Sequence, residues 1–452
     1  MKNARASFST TQIIMLSFLL TILVGSFLLS LPASSASGEP MPYIDALFTA
    51  TTATCVTGLV TVPTVAAWST FGHIVILILI QIGGLGIITV MAGITALLHK
   101  KMGISDRLLI QDAFNLNSMS GLNVFLKKVI LGTFAVEGIG ALLYMTVFVP
   151  QFGARGIWIS VFTSVSAFCN AGIDIIAENS LCDYTTNPVI NLVTCLLIII
   201  SGIGYIVWWD VIRVLRDKNI KLTKKWQHLT LHSKLAFSAT LIMIFGGAAL
   251  VFAFEYSNPL TIGSMSLFDK MQASIFQSVT TRTAGFASLP QQNFTNGSSL
   301  ICLLLMFIGG SPVGTAGGIK TVTAAVLVAG AVAAIKNKSE VSVFGRTVPK
   351  SAVSKALGVV GMSFATVFVS TLLLSAVTDA SLLDTLYEAV SATATVGLSR
   401  DVTSILNLAG KLIIIVTMYL GRVGPISLAV AFSLKKQSRN RIKEPEENIS
   451  IG

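Results

Sequence analysis

Charged residues are scarce in this sequence. Asp, Glu, Lys and Arg make up 11% of its 452 residues, against about 25% in an ordinary soluble domain. A chain so poor in charge, and 53% hydrophobic, cannot cover itself with a polar surface in water, which excludes the soluble globular class. Histidine and cysteine are nearly as sparse. The four histidines form no HExxH-type motif. The five cysteines (Cys55, Cys169, Cys182, Cys195 and Cys302) match no zinc or CxxC spacing. A membrane-embedded enzyme is thus left without a metal or nucleophile cluster. Only Cys182 falls clearly in an outside loop, so no disulfide framework is expected. There is no P-loop, no kinase motif set and no dinucleotide fingerprint leading into a soluble αβ domain. Neither an organic cofactor nor a nucleotide is therefore expected on this chain itself.

What the sequence has instead is long apolar runs, over 12–31, 73–98, 129–149, 189–212, 235–254, 356–377 and 412–434. About 20 apolar residues suffice for a helix to cross a bilayer. Lys2 and Arg5, the first run and the following SLPASSAS have the outline of a secretory signal peptide. The run is longer than a typical signal core, however, and the repeat described below needs it as its first helix. The net charge of +11 is not a nucleic-acid footprint, because of where it sits. Lys and Arg gather in 99–128 (Lys100, Lys101, Arg107, Lys127, Lys128), 213–234, 336–355 and 435–443, with Lys2 and Arg5 at the start. These are alternate connections between apolar runs plus both termini. The intervening connections carry acidic residues such as Glu39, Asp45, Asp174, Asp269, Asp384 and Asp401. This asymmetry predicts a multi-pass protein of the cell membrane with both termini cytoplasmic and an even number of spans.

The chain repeats itself four times. DALFTATTATCVTGL (45–59), SVFTSVSAFCNAGI (160–173), ASIFQSVTTRTAGF (273–286) and DTLYEAVSATATVGL (384–398) align without gaps on Gly58, Gly172, Gly285 and Gly397. These glycines recur every 112 to 114 residues. Ten positions before each stand Phe48, Phe162, Ile275 and Tyr387; six before stand Thr52, Ser166, Val279 and Ser391. Asp45 and Asp384 are placed to cap short helices. Each segment is too short and polar to span, and has the length of a re-entrant half-helix followed by an extended strand. A long apolar helix precedes each segment and another follows. The expected fold is an all-α membrane protein of four parallel helix–pore loop–helix repeats, with eight spans around a pseudo-fourfold pore. Repeat 1 covers 1–98 (loop 45–59), repeat 2 covers 99–216 (loop 159–173), repeat 3 covers 217–335 (loop 272–286) and repeat 4 covers 336–434 (loop 384–398), before a cytoplasmic tail, 435–452. Small-residue helix packing would account for the Gly, Ala, Ser and Thr content, but not for the period.

Irregular backbone at membrane depth survives only where protein or a watery cavity surrounds it. Four such loops converging on one axis would aim the partly negative carboxyl ends of their half-helices at the centre. Strand carbonyls turned inward would replace a cation's hydration shell, and glycine opens the torsions this requires. The expected ion-binding positions are Val56, Thr57, Gly58, Asn170, Ala171, Gly172, Thr283, Ala284, Gly285, Thr395, Val396 and Gly397.

Thr395-Val396-Gly397 reads like a potassium-channel filter. With CVTGL, CNAGI and RTAGF in the other loops, essentially the whole chain resembles the Trk/Ktr/HKT superfamily of potassium transporters. It is most similar to the pore subunit of bacterial Ktr systems, since it starts directly into repeat 1. The resemblance implies potassium uptake through a four-loop carbonyl filter, by a homodimer docked on a cytosolic nucleotide-binding regulatory ring (KtrA-like). The basic loops and the tail are the available contact surface. Three loops depart from Thr-Val-Gly, and the Tyr-Gly that follows it in tetrameric channels is absent from all four. This implies fewer ion sites, with K+ preferred and some Na+ admitted. The first loop carries Gly58 rather than the serine of some sodium-carrying plant relatives.

A few cations fall outside the cytoplasmic clusters. Arg155, Lys270, Arg400 and Lys411 read as anchors at the outer interface. Arg422 stands 11 residues past Lys411, about 16 Å along a helix and near mid-bilayer, where a charge costs several kcal/mol unless it faces a partner or cavity. The same offset from the filter glycine lands on Gly83 in repeat 1 and Gly310 in repeat 3. There GGSPVGTAGGIKT (309–321) holds five glycines and a proline in 13 residues, too many for a straight helix. It reads as an intramembrane gate formed by Gly309, Gly310, Pro312, Gly314, Gly317, Gly318 and Lys320, and the resemblance pairs it with an arginine at Arg422. Arg282 is expected to brace carbonyls or acids behind the third filter strand, and Glu137 to brace a filter loop. The rival reading, an alternating-access cation symporter, predicts inverted repeats, whereas these four run parallel.

Overall fold

The computed structural model describes residues 10–87, 89–90 and 122–424. The expected repeat boundary at 98/99, the tail 435–452, and Lys2, Arg5, Lys100, Lys101 and Arg107 lie outside the described residues. Apart from a two-stranded hairpin, Val341–Val343 with Arg346–Val348, the regular structure among the described residues is helical.

Each repeat opens with a long leading helix: Thr10–Leu29, Leu122–Phe152, Leu231–Glu255 and Lys350–Val377. At 1.5 Å per residue each reaches at least about 30 Å, the thickness of the hydrocarbon core. Their apolar windows are only 28 to 39% buried. Leu20, Phe134, Ile242 and Phe364 stand outward at 57 to 71% exposure. An apolar exterior of this extent fits lipid, not water.

A short helix follows in each repeat: Tyr43–Cys55, Ala154–Cys169, Leu267–Thr280 and Leu382–Ala394. These are the inverse of the leading helices. In Tyr43–Cys55, Thr49, Thr51, Thr52 and Thr54 are buried beside Phe48 and Ala50. Hydroxyls are tolerated there by hydrogen-bonding within the helix, as Thr51 does to the Leu47 carbonyl. The caps differ from expectation. Pro42 and Ser381 precede the first turns, and Asp45 and Asp384 sit inside them. Asp384 is the third member of a box in which its N–H donates to Ser381 Oγ and its carboxylate accepts from the same hydroxyl.

The returning helices are Thr70–Leu85, Pro188–Ile203, Asn296–Phe307 and Leu408–Val423. A polar residue caps each: Ser69, Asn187, Thr295 and Asn407 accept from backbone N–H groups of the first turn. None is an unbroken span, contrary to the expectation of eight full spans. At 12 to 16 residues they reach about 18–24 Å. Three stop at a glycine of positive φ, Gly86, Gly204 and Gly424 (83°, 94° and 91°), a torsion that ends an α-helix. After Gly204 the chain turns through 92° into Tyr205–Arg216. In repeat 3 the loop 308–320 intervenes before Thr321–Ile335.

Packing closes the four repeats into a circle. The returning helix of each repeat lies on the short helix of the next: 70–85 on 154–169, 188–203 on 267–280, 296–307 on 382–394, and 408–423 on 43–55. Two ion pairs add to this packing. Lys411 meets Asp45 at 2.6 Å, joining repeats 4 and 1. Arg400 meets Asp384 at 2.7 Å and donates to the Gln291 carbonyl and Ser299 Oγ, joining repeats 4 and 3. Lys270 is buried, donating to the Tyr256 carbonyl over that residue's ring. Of the four cations expected as interface anchors, Arg155 alone is exposed.

Candidate functional site: a glycine ring and the loop beneath it

The short helices end three to five residues before Gly58, Gly172, Gly285 and Gly397, and those glycines meet. A Cβ added to Gly58 would fall within 3 Å of the Ala171 carbonyl oxygen. One on Gly172 would meet that of Ala284, one on Gly285 that of Val396, and one on Gly397 that of Thr57. Each glycine thus faces the carbonyl preceding the glycine of the next repeat, and the fourth closes onto the first. All four have positive φ, between 62° and 102°, so sterics and torsion both demand glycine. Two residues earlier, Val56, Asn170, Thr283 and Thr395 also have positive φ, 52° to 66°. Left-handed torsions in non-glycine residues cost free energy and persist only where packing enforces them. Four at matched positions mark a built feature.

The gap-free alignment fails in the third loop. Helix-end carbonyls of Thr52, Ser166 and Ser391, six before their glycines, accept from the N–H of Thr57, Ala171 and Val396. In repeat 3 the equivalent N–H, of Ala284, goes to Thr280, five before Gly285. Burial agrees: Phe276 is fully buried like Phe48, Phe162 and Tyr387, while Ile275 is 37% exposed. So does the helix behind. Ser164 donates to the Glu137 carbonyl from eight positions before its glycine, and Ser278 to that of Ile244 from seven before. The third loop is one residue shorter, and Phe276 and Thr280 take the places assigned to Ile275 and Val279.

Beneath the ring, the loop from Gly309 to Lys320 touches repeats 2, 3 and 4, and Arg422 links it to repeat 1. Gly317 N–H donates to Thr283 Oγ1 at 3.0 Å. Thr315 Oγ1 donates to the Phe168 carbonyl and accepts from Asn170 Nδ2. A Cβ on Gly317 would collide with Thr395 Oγ1, and one on Gly314 would fall within 3 Å of the Ser201 carbonyl oxygen. Gly309 and Gly310 pack against Gly317 and Ala316, Gly318 has a φ of 63°, and a Cβ on Gly204 would run into the Pro312 carbonyl. Arg422 completes the contact, donating to the Thr315 carbonyl at 3.0 Å and to that of Gly83 in repeat 1. Lys320 Nζ turns back on the Ala316 carbonyl at 2.6 Å. Gly317, Gly318, Lys320, Thr393, Ala394 and Arg422 line a cavity of about 410 Å³ on this side.

Arg282 is buried and donates to Gly309 O and Thr240 Oγ1. It therefore braces a carbonyl of the loop beneath, not an acid. Glu137 accepts from Gln81 Nε2 at 3.1 Å, with Cys169 Sγ at 3.9 Å, at the end of the second short helix. Gln81 gave no signal in the sequence, since one glutamine in an apolar run is ordinary. Glu388, buried between Ser399 and Thr403 above the fourth loop, was equally unmarked.

A membrane protein with four such loops meeting around one centre belongs to the class that moves cations. Comparison with known proteins agrees. The sequence model of the TrkH cation transport protein family matches residues 2–443, and this chain belongs to that family. It is 39% identical to the Ktr system potassium uptake protein B of Bacillus subtilis, over 98% of this chain and 97% of that protein. It is 38% identical to the potassium/sodium uptake protein NtpJ of Enterococcus hirae, over 100% and 99%. Its fold matches the crystal structure of the potassium transporter TrkH from Vibrio parahaemolyticus with a TM-score of 0.75, at 18% identity, over 96% of this chain and 86% of that one.

Proposed function

We propose that this protein takes up potassium across the cell membrane through a pore on the axis of the glycine ring, and that the 309–321 loop with Lys320 and Arg422 is its gate. The ring carries the reading. Four strands held at positive φ, each glycine against the next repeat's carbonyl, bring backbone oxygens together where they can substitute for the water around a monovalent cation. The carboxyl ends of four short helices add negative potential there. The oxygen-bearing positions are Val56-Thr57-Gly58, Asn170-Ala171-Gly172, Thr283-Ala284-Gly285 and Thr395-Val396-Gly397. Potassium is the main substrate and sodium a lesser one; relatives named for potassium uptake and for potassium/sodium uptake both support this. In this reading the eight spans comprise four leading helices and four broken returning ones, with both termini cytoplasmic. The protein works as a homodimer on a cytosolic nucleotide-binding ring; the name "Ktr system" of the relatives supports a second component.

The gate reading rests on two cations below the ring, one of which ties the loop to repeats 4 and 1. With the loop in place, the axis meets backbone, Arg422 and Lys320, and a permeating cation is opposed by bulk and charge. In a potassium-uptake-deficient cell, Arg422→Ala and a deletion within 313–318 are each expected to raise the initial uptake rate. Unchanged flux in both at equal membrane abundance removes the gate; failure of the parent protein to restore growth at low potassium removes the transport reading.

A further inference from the structure

The shortened third loop changes one oxygen of the ring's outer edge. In repeats 1 and 4 the hydroxyl at the end of the short helix accepts from the filter glycine: Gly58 N–H donates to Thr52 Oγ1 at 2.9 Å and Gly397 N–H to Ser391 Oγ at 3.0 Å. In repeat 3 the matching hydroxyl residue, Thr280, lies one position nearer its glycine, and the hydroxyl has a different partner. Thr280 Oγ1 donates to the Phe286 carbonyl at 2.7 Å, while Gly285 N–H goes to the Thr280 backbone carbonyl. The next two carbonyls are held as well. Ala287 O accepts from Leu181 N–H, and Ser288 O from Thr185 Oγ1, both in the outer loop of repeat 2.

Phe286 is the residue just after the filter glycine, and its counterparts are Leu59, Ile173 and Leu398. All four side chains are buried to within 1%, so the four strands run alike at this level. Among the described residues no hydrogen bond is made to the carbonyls of Leu59, Ile173 or Leu398. A carbonyl that accepts from a hydroxyl of its own supporting helix commits a lone pair to that helix rather than to an ion on the axis.

We infer that Thr280 is a specificity-determining residue: by holding the Phe286 carbonyl, it leaves the outermost ion position with three strand oxygens instead of four. The inference rests on the filter reading above. The number of coordinating carbonyls is one determinant of the preference for potassium over the smaller sodium ion. A three-oxygen outer site favours potassium less than a complete ring and admits sodium. Thr280 positions a ligand; it does not touch the ion.

Thr280→Val keeps the shape and removes the donor, and Thr280→Ser keeps the donor. With purified protein in proteoliposomes, Thr280→Val is expected to raise the potassium-to-sodium flux ratio about threefold, through the added carbonyl, while Thr280→Ser matches the parent. An unchanged ratio in Thr280→Val with flux intact overturns the inference. Should Thr280→Val fail to fold, rubidium located crystallographically in the parent protein decides. An outermost ion ligated by the carbonyls of Leu59, Ile173 and Leu398 but not Phe286 supports the inference, and Phe286 among its ligands overturns it. Rubidium absent from the ring altogether sinks the filter reading itself, and this inference with it.

Discussion

The ring and the region beneath it are built from the same four repeats but treat symmetry differently. At the ring, every repeat supplies a glycine of positive φ, preceded at the same distance by a left-handed residue, and each glycine leans on the next repeat in the same way. Below it the repeats part. Repeat 3 sends a glycine-rich loop across the axis, repeat 4 supplies Arg422, repeat 1 offers the Gly83 carbonyl, and repeat 2 bends by 92° at Gly204. In the proposed function, with a filter above and a gate below, the difference follows from what each level has to do. A cation in a filter is surrounded, so equivalent oxygens from all sides are favoured. An axis is blocked by one object, and the other three repeats then adapt to it. Gly204 adapts most visibly, since any side chain there would run into Pro312.

The largest effect should come from breaking the symmetric level. Gly172→Ala places a Cβ within 3 Å of the Ala284 carbonyl and adds about 1–2 kcal/mol of torsional cost. Potassium uptake should fall by about tenfold or more, as measured by initial rates in potassium-depleted cells, and near-normal uptake would mean the ring tolerates what its geometry forbids. A smaller effect of opposite sign is expected one level down. Thr315→Val removes the loop's hydroxyl links to Phe168 and Asn170, each worth roughly 1 kcal/mol net. If the loop is the proposed gate, its closed state weakens and uptake should rise by a few fold, inside the roughly 30-fold that about 2 kcal/mol allows. A fall in uptake would mean that Thr315 supports the filter more than it holds the gate. The smallest change in transport is expected at the fastening between repeats 4 and 1. Asp45→Asn weakens a pair whose side chains are only 17% and 10% exposed, costing about 1–2 kcal/mol. Thermal unfolding in detergent should occur a few degrees lower, with uptake per folded molecule unchanged.

The two levels were not equally legible in the sequence. Gly58, Gly172, Gly285 and Gly397 stand out because a torsion closed to other residues is a local demand, and it leaves a local mark at a regular period. The 309–321 break announced itself for the same reason. The third loop's register did not, because Ile275 and Phe276 are both plausible core residues and Val279 and Thr280 both plausible helix ends. Only which face of Leu267–Thr280 is buried separates them. The roles of Lys411 and Arg400 are not legible either, since a lysine near an apolar run looks like an interface anchor until Asp45, 366 positions away, is placed beside it.

The sequence by itself determined the four-part organisation, the glycine positions, the polar short helices between apolar ones and the broken third returning helix. Each is a consequence of torsion or hydrophobicity acting over a few residues. The tertiary structure decided the cyclic order of packing, the shortened third loop, the ends of the returning helices at Gly86, Gly204 and Gly424, and the partners of Glu137, Arg282, Lys411 and Arg422. Those depend on which distant backbone oxygens and carboxylates arrive at the same place, and spacing along a chain carries no record of that.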